Sequence, residues 1–176
     1  MWSYRRLAPL LFAAALTACG FHPLYMKDTA NVAGVTDDLA RVKIATVRAA
    51  DREFDRLGQQ MHSLLVQRLN PDGTPANPRY RLECDMSVQR ERTGIQITEE
   101  ATRARLTVSV NFRLMPAAGK NVLYSGSELS VNSYNIADSQ YASISAENDA
   151  ARRAVREISE SIKLRLGLYF QNLHRG

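Results

Sequence analysis

The sequence predicts an α+β fold, a two-layer sandwich in the order β-α-β-β-β-α, with two helices packed on one face of a four-stranded mixed sheet. Two stretches in the middle of the chain alternate apolar and polar residues, and two others carry apolar residues at spacings of three and four. Each such strand or helix has one apolar side to bury, and a two-layer sandwich buries all of them. A chain of 176 residues, 45% apolar and 23% charged, suffices for one such domain.

The first strand and the first helix are predicted between residues 41 and 69. Residues 41–47 (RVKIATV) are β-branched and mostly apolar, as in a strand. Residues 51–69 carry an apolar stripe at helical spacing, and the helix ends at the turn sequence Asn70-Pro71-Asp72-Gly73. The stripe consists of Phe54, Leu57, Met61, Leu64, Leu65 and Leu69.

Three further strands and a long helix complete the predicted domain. Residues 80–88 and 104–114 alternate strictly, so each run has one core face and one polar face. A turn at 116–121 leads to a less regular strand at 122–131, where Gly126 indicates a bulge or a close backbone approach. Residues 132–149 are polar, and no element is predicted for them. The last helix is marked by Ala151, Val155, Ile158, Ile162, Leu166, Tyr169 and Leu173.

The amino terminus has the order of a bacterial lipoprotein signal. Arg5 and Arg6 precede about twelve apolar residues, too few to span a bilayer. Leu16-Thr17-Ala18-Cys19 resembles a lipobox, which predicts cleavage of residues 1–18 and attachment of a diacylglycerol and an N-acyl chain, typically palmitate, to Cys19. An ordinary signal peptide that contains a cysteine is the alternative. Residues 19–40 are then a lipidated tether and residues 41–176 a single domain.

The charge and the cysteine count exclude several classes of protein. The formal charge is +5, but loss of residues 1–18 leaves 21 basic and 18 acidic residues, which does not favour a nucleic-acid partner. Two cysteines are too few for a disulfide scaffold or a zinc finger. Cys84 falls on the apolar side of a strand and is predicted to be a core residue.

The sequence offers no candidate for catalysis or for a metal or other cofactor. His22, His62 and His174 are far apart, and no carboxylate or cysteine stands at ligand spacing from any of them. The adjacent Glu99 and Glu100 lie in a predicted hairpin loop, where solvation is the ordinary role of a carboxylate. The protein is therefore predicted not to be an enzyme.

Arginines concentrate around the predicted central hairpin. A guanidinium can hold a phosphate through two parallel hydrogen bonds, so Arg90, Arg92, Arg103 and Arg105 are candidates for binding a phosphorylated ligand. The alternative is that these side chains only solubilise the polar strand faces and pair with nearby carboxylates.

Residues 19–25 (CGFHPLY) resemble the start of the LptE family of lipopolysaccharide-assembly lipoproteins, in which the lipidated cysteine runs into an aromatic-proline segment. Weaker similarities to alphaproteobacterial members follow along the chain. They are Gly94-Ile95, Ala101-Thr102-Arg103, Ser133-Tyr134-Asn135 and Gln140-Tyr141-Ala142.

The resemblance implies the β-α-β-β-β-α fold and a function. Members plug the LptD barrel of the outer membrane, help it to assemble, and take part in delivering lipopolysaccharide to the cell surface. The resemblance also implies that basic residues near the central strands bind lipopolysaccharide. Gly20, which is not aspartate, implies sorting to the periplasmic face of the outer membrane. The alternative function is a stand-alone periplasmic lipoprotein that carries a ligand or responds to envelope stress.

Overall fold

A computed structural model describes residues 30–95 and 101–175. The predicted signal peptide, Cys19, the first part of the tether, and the loop with Glu99 and Glu100 lie outside the described residues. The elements in chain order are α1 (Ala30–Ala40), β1 (Val42–Ile44), β2 (Arg48–Ala49), a 3-10 turn (Arg52–Phe54), α2 (Asp55–Leu69), β3 (Tyr80–Ile95), β4 (Ala101–Pro116), β5 (Tyr124–Asn135) and α3 (Gln140–Leu173). The predicted α+β sandwich is confirmed.

The sheet is mixed, with the strand order β1-β3-β4-β5 and with β2 beside β3. β1 and β2 pair with β3 in parallel, whereas β3, β4 and β5 form an antiparallel meander. A parallel pair needs a crossover connection, and α2 supplies it between β2 and β3.

The predicted first strand is split into β1 and β2. Ile44 pairs with Leu82 and Arg48 pairs with Asp85, so three residues on the edge strand face two on β3. This extra residue interrupts the ladder as a bulge does. The sheet therefore has five strands instead of the four predicted.

One face of the sheet forms the core. The register pairs even-numbered residues of β3 with even-numbered residues of β4, for example Leu82 with Leu114 and Cys84 with Phe112. These side chains are buried beneath the helices, and α2 adds Met61 to the same cluster. Odd-numbered residues point to the other face, called the open face here, which no described element covers.

Gly126 of β5 is a place of close approach, as predicted. It lies opposite Phe112 in the β4–β5 ladder. A Cβ at this position would come within 2.7 Å of the Phe112 ring, so only glycine leaves room for the aromatic side chain.

The second half of the predicted tether is a helix, α1, and its contacts with the end of α3 explain why. Val35 and Leu39 join the core. The buried Asp38 carboxylate lies 2.8 Å from His174 Nε2, and this pair ties α1 to the residue that follows α3. A helix of eleven residues is stabilised mainly by such tertiary contacts, which the local sequence pattern does not reveal.

The last helix begins at Gln140, eleven residues before the first residue of its apolar stripe, Ala151. The Ser139 hydroxyl accepts a hydrogen bond from the Ala142 N–H at 3.5 Å and caps the helix, and residues 132–135 extend β5. The stripe also ends differently. Phe170, four residues after Leu166, is buried, whereas Leu173 is 53% exposed.

Candidate functional site: an arginine-lined cleft

A cleft of about 1000 Å³ opens at one end of the sandwich. The 3-10 turn, the start of α2, the last described part of β3 and the first three turns of α3 enclose it. Five arginines line it: Arg52, Arg56, Arg90, Arg92 and Arg152. Four carboxylates line it as well: Glu53, Asp55, Glu91 and Glu147.

Arg90 joins three elements at the centre of the cleft. Its Nη2 and Nη1 donate to the two carboxylate oxygens of Glu53 at 2.6 and 3.3 Å, and its Nε donates to Glu147 Oε1 at 2.5 Å. The guanidinium also stacks on Phe54, 4.8 Å from the ring centre. Each of the three guanidinium nitrogens therefore donates one hydrogen bond to a carboxylate of the protein, which uses three of the five N–H groups.

These contacts shift the pKa values of side chains in the cleft. The hydrogen bond and the charge of Arg90 lower the pKa of Glu53, and the bond to Glu53 raises the pKa of Arg90. The Tyr134 hydroxyl donates to Glu147 at 3.0 Å. Burial, and then this hydrogen bond, raise the pKa of Tyr134. Glu53 is thus bonded to Arg90, and Glu147 is bonded to both Arg90 and Tyr134.

The four arginines predicted as one ligand-binding cluster lie on two faces. Arg90 and Arg92 share the parity of the buried residues of β3 and line the cleft. Arg103 and Arg105 have the opposite parity on β4 and lie exposed on the open face. The division between the two faces could have been predicted from the sequence. Arg90 and Arg92 continue the even-numbered series of core residues from Leu82 to Val88, so they lie on the same side of β3.

On the open face, arginines have carboxylate partners nearby. Arg105 lies 4.0 Å from Glu91. Further along, Asp85 accepts hydrogen bonds from Arg48 and Arg113, each at 2.9 Å. This part of the sheet matches the alternative interpretation of the arginines, in which they pair with acids on a polar face.

Sequence reasoning missed three arginines of the cleft. Arg52, Arg56 and Arg152 come from the 3-10 turn, α2 and α3, and they converge only because the two helices pack side by side. The sequence contained only a weak indication of this cluster. Arg52 and Arg56 stand four residues apart, as on one side of a helix, but the local sequence does not show that this side faces β3.

The cleft is suited to an anionic ligand with an apolar part. The lining has five arginines and four carboxylates, so its net formal charge is +1. Arg90 is bonded to both Glu53 and Glu147, and the other four guanidiniums face only two carboxylates of the lining. Ile144, 52% exposed, adds apolar surface to the lining. Arginine binds phosphate and carboxylate groups through paired hydrogen bonds.

The described residues hold no group of three or more His, Cys, Asp or Glu side chains that could bind a metal ion. Cys84 is buried, as predicted, and burial raises the pKa of its thiol to about 12, so it is chemically inert at neutral pH. None of the helices in the described part of the chain is both long and apolar enough to cross a membrane.

The class of protein that the structure shows is an α+β sandwich with a charged cleft at one end. Residues 39–166 match the family model LptE, described as lipopolysaccharide-assembly. The chain therefore belongs to the LptE family. The comparison with curated proteins finds no similar sequence.

Solved structures share the fold. A Caulobacter crescentus protein described as a lipoprotein is 27% identical with a TM-score of 0.60, and the match covers 79% of this chain and 96% of that one. A minor lipoprotein from Acinetobacter baumannii is 13% identical with a TM-score of 0.56, covering 73% and 92%. Rare lipoprotein B from Shewanella oneidensis is 15% identical with a TM-score of 0.56, covering 75% and 99%.

Proposed function

We propose that this protein is a lipoprotein of the outer membrane that works with the LptD barrel in lipopolysaccharide transport, as its plug and assembly factor. The observation that carries the proposal is the family match over residues 39–166. The lipobox ending at Cys19 and the 27% identical Caulobacter lipoprotein support an anchor on the periplasmic face. Acyl chains on Cys19 would hold the protein at the membrane.

The open face of the sheet supports the role of a plug. The lumen of an outer-membrane barrel is polar, so a protein that fills it has to present polar groups. The open face carries the network around Asp85 on one side and serines of β5, such as Ser127 and Ser133, on the other. These polar groups can face either water or a polar wall. The exposed Leu129 and Val131 of β5 lie on the same face and would meet apolar groups of the barrel.

The cleft supports binding of lipopolysaccharide, whose lipid carries phosphate groups and acyl chains. Free guanidiniums at the rim would hold the phosphates, and apolar residues such as Ile144 would contact the acyl part. Of the four arginines predicted from the sequence, Arg92 is the one best placed for this task. Arg90 acts through Glu53 and Glu147 instead.

Copurification tests the partner. The tagged full chain, extracted from outer membranes with detergent, is expected to bring down a large barrel protein that mass spectrometry identifies as LptD. The absence of any barrel would contradict the proposal and favour the stand-alone carrier. Cys19→Ala is expected to release the protein from membranes that lack the barrel, and release from membranes that hold it would argue against a stable complex.

Two matched double variants test where lipopolysaccharide binds. Arg52→Glu/Arg92→Glu changes the charge of the cleft, and Arg103→Glu/Arg105→Glu makes the same change on the open face. The first is expected to raise the dissociation constant for fluorescent lipopolysaccharide about tenfold or more, equivalent to about 1.4 kcal/mol, and the second to leave it nearly unchanged. The opposite result would assign the ligand to the open face.

The alternative of a stand-alone ligand carrier would be favoured by an enclosed apolar cavity. The cleft is open to solvent and lined by charged side chains, so this structure gives the alternative no specific support.

A further inference from the structure

A second depression, called the helix groove here, lies between α2 and α3. It measures about 460 Å³. Three arginines line it, Arg56 from α2 and Arg152 and Arg156 from α3, and Leu64 and Val155 provide apolar lining. Arg56 and Arg152 also line the cleft, so the two depressions adjoin.

The charged side chains that line the helix groove are all arginines. No carboxylate lines it, and within the described part of the chain no carboxylate oxygen lies within 4.0 Å of Arg56 or Arg156. Arg152 has Asp149 at 3.9 Å, but that carboxylate is also bonded to Arg153.

This arrangement costs stability. Arg152 and Arg156 stand four residues apart on one helix, a spacing at which like charges repel each other. The contrast with Arg68 is direct. Arg68 lies near the carboxyl end of α2, and its side chain is bonded to Glu160 of α3 at 2.8 Å. The protein thus pairs the two helices by charge at one end of their contact and leaves three cations together at the other. An anionic partner would remove the cost.

The small apolar area of the helix groove and its polar glutamine side chains indicate what kind of partner it can bind. Two apolar side chains give too little surface for an amphipathic helix, which buries a stripe of several turns. Gln59, Gln60 and Gln67 line the α2 side, and their amides can donate to and accept from the main chain of a peptide. From residue 56 to 67 the helix rises about 16 Å, the length of about five residues of extended chain.

We infer that the helix groove binds an extended acidic segment of a partner protein, with at least two carboxylates within about five residues. The carboxylates pair with Arg56, Arg152 and Arg156, and the glutamines hold the main chain. This inference goes beyond the proposed function, because it concerns a protein partner on the helical layer and not lipopolysaccharide or the open face.

Photocrosslinking in the native host tests the inference. The full-length chain, expressed from its own locus, carries p-benzoylphenylalanine at Gln67, which lines the helix groove and not the cleft. The same label at the exposed Asn172 of α3 is the positional control. After irradiation, mass spectrometry identifies the crosslinked segment. We expect a segment with at least two Asp or Glu residues within five, captured from Gln67 and not from Asn172.

Charge-reversal variants test whether the crosslink depends on the arginines of the helix groove. Arg56→Glu/Arg156→Glu is expected to lower the crosslink yield at least fivefold. Lys120→Glu/Arg175→Glu, an equal change of charge at exposed positions outside the helix groove, is expected to leave the yield unchanged. If the first double variant does not fold, as judged by circular dichroism, Arg156→Glu alone takes its place and is expected to lower the yield at least threefold.

Four outcomes would overturn the inference: no protein crosslinked above the level at Asn172, a captured segment without acidic residues, a lipid adduct in place of a peptide, or an equal loss with Lys120→Glu/Arg175→Glu. Arg52→Glu/Arg92→Glu, which alters only the cleft, is expected to leave the crosslink intact. A failure of lipopolysaccharide binding is therefore distinguishable from a failure of the helix groove.

Discussion

If the cleft binds lipopolysaccharide as proposed, replacing Arg90 with glutamine is expected to weaken that binding, because two carboxylates lose their partner. Its three guanidinium nitrogens are bonded to Glu53 and Glu147, and its plane stacks on Phe54. Without the guanidinium, both carboxylates remain in the cleft as uncompensated negative charges. The cleft then repels the anion that its rim attracts.

The size of the effect follows from Glu147, the less exposed of the two acids, at 27%. A unit charge about 8 Å from a bound phosphate, at an effective dielectric constant of about 40, repels it by about 1 kcal/mol. That corresponds to about a fivefold rise in the dissociation constant. Glu53 acts in the same direction but is well solvated. Since the ion pairs are partly exposed, the loss of folding stability is expected to be about 1 kcal/mol.

Titration of fluorescent lipopolysaccharide at 0.15 M salt measures the effect in the wild type, Arg90→Gln and Arg90→Gln/Glu147→Gln. The double variant has the same net charge as the wild type. We expect the single variant to bind about fivefold more weakly, as estimated from the Coulomb energy, and the double variant to recover to within about twofold. If the double variant stays as weak as the single one, Arg90 contacts the ligand directly and the reasoning is refuted.

Three further predictions concern stability and reactivity. Gly126→Val is expected to lower the free energy of unfolding in urea by about 1–3 kcal/mol, because its Cβ would meet a facing aromatic ring; an equal loss in Ser127→Val, at an exposed neighbour, would refute this. In the Cys19→Ala variant, whose one thiol is Cys84, that thiol, with its pKa raised to about 12, is expected to react with Ellman's reagent at pH 8 only after unfolding; rapid labelling of the native protein would contradict its burial. The stability that Glu53 adds over Glu53→Gln is expected to be present above pH 4.5 and lost as the pH falls through its lowered native pKa; a difference in urea stability that is the same at pH 6 and pH 3 would argue against this pairing.

Much of the fold was predictable because side-chain periodicity is a local property. Alternation along residues 80–88 and 104–114 identified β3 and β4 and their buried faces, and the stripes identified α2 and most of α3. The prediction missed α1, because three apolar residues around Gly34 make only a short stripe and the contacts of α1 with the end of α3 are not visible in the local sequence. It also failed at the edge strand, because the extra residue between Ile44 and Arg48 becomes visible only against β3.

The candidate site was predictable only in part. The hairpin arginines were recognised from their charge as candidates for binding a ligand, and their role stays a prediction. The structure places Arg90 and Arg103 on opposite faces of the sheet, because they have opposite parity in the ladder. The role of Arg90 as an internal counterion depends on two carboxylates, Glu53 and Glu147, that lie 37 and 57 residues away in the chain. No local pattern could have named them.

The sequence by itself determined the class of fold, the predicted lipid anchor at Cys19 and the resemblance to the LptE family, because these depend on the order of residues over short stretches. The tertiary structure decided which charges meet. Helices and strands expose their polar side chains on every uncovered side, and only the packing of α2 against α3 and of both against β3 brings Arg52, Arg56 and Arg152 to one cleft. The cleft and the helix groove are products of that packing, since electrostatic attraction depends on distance in space.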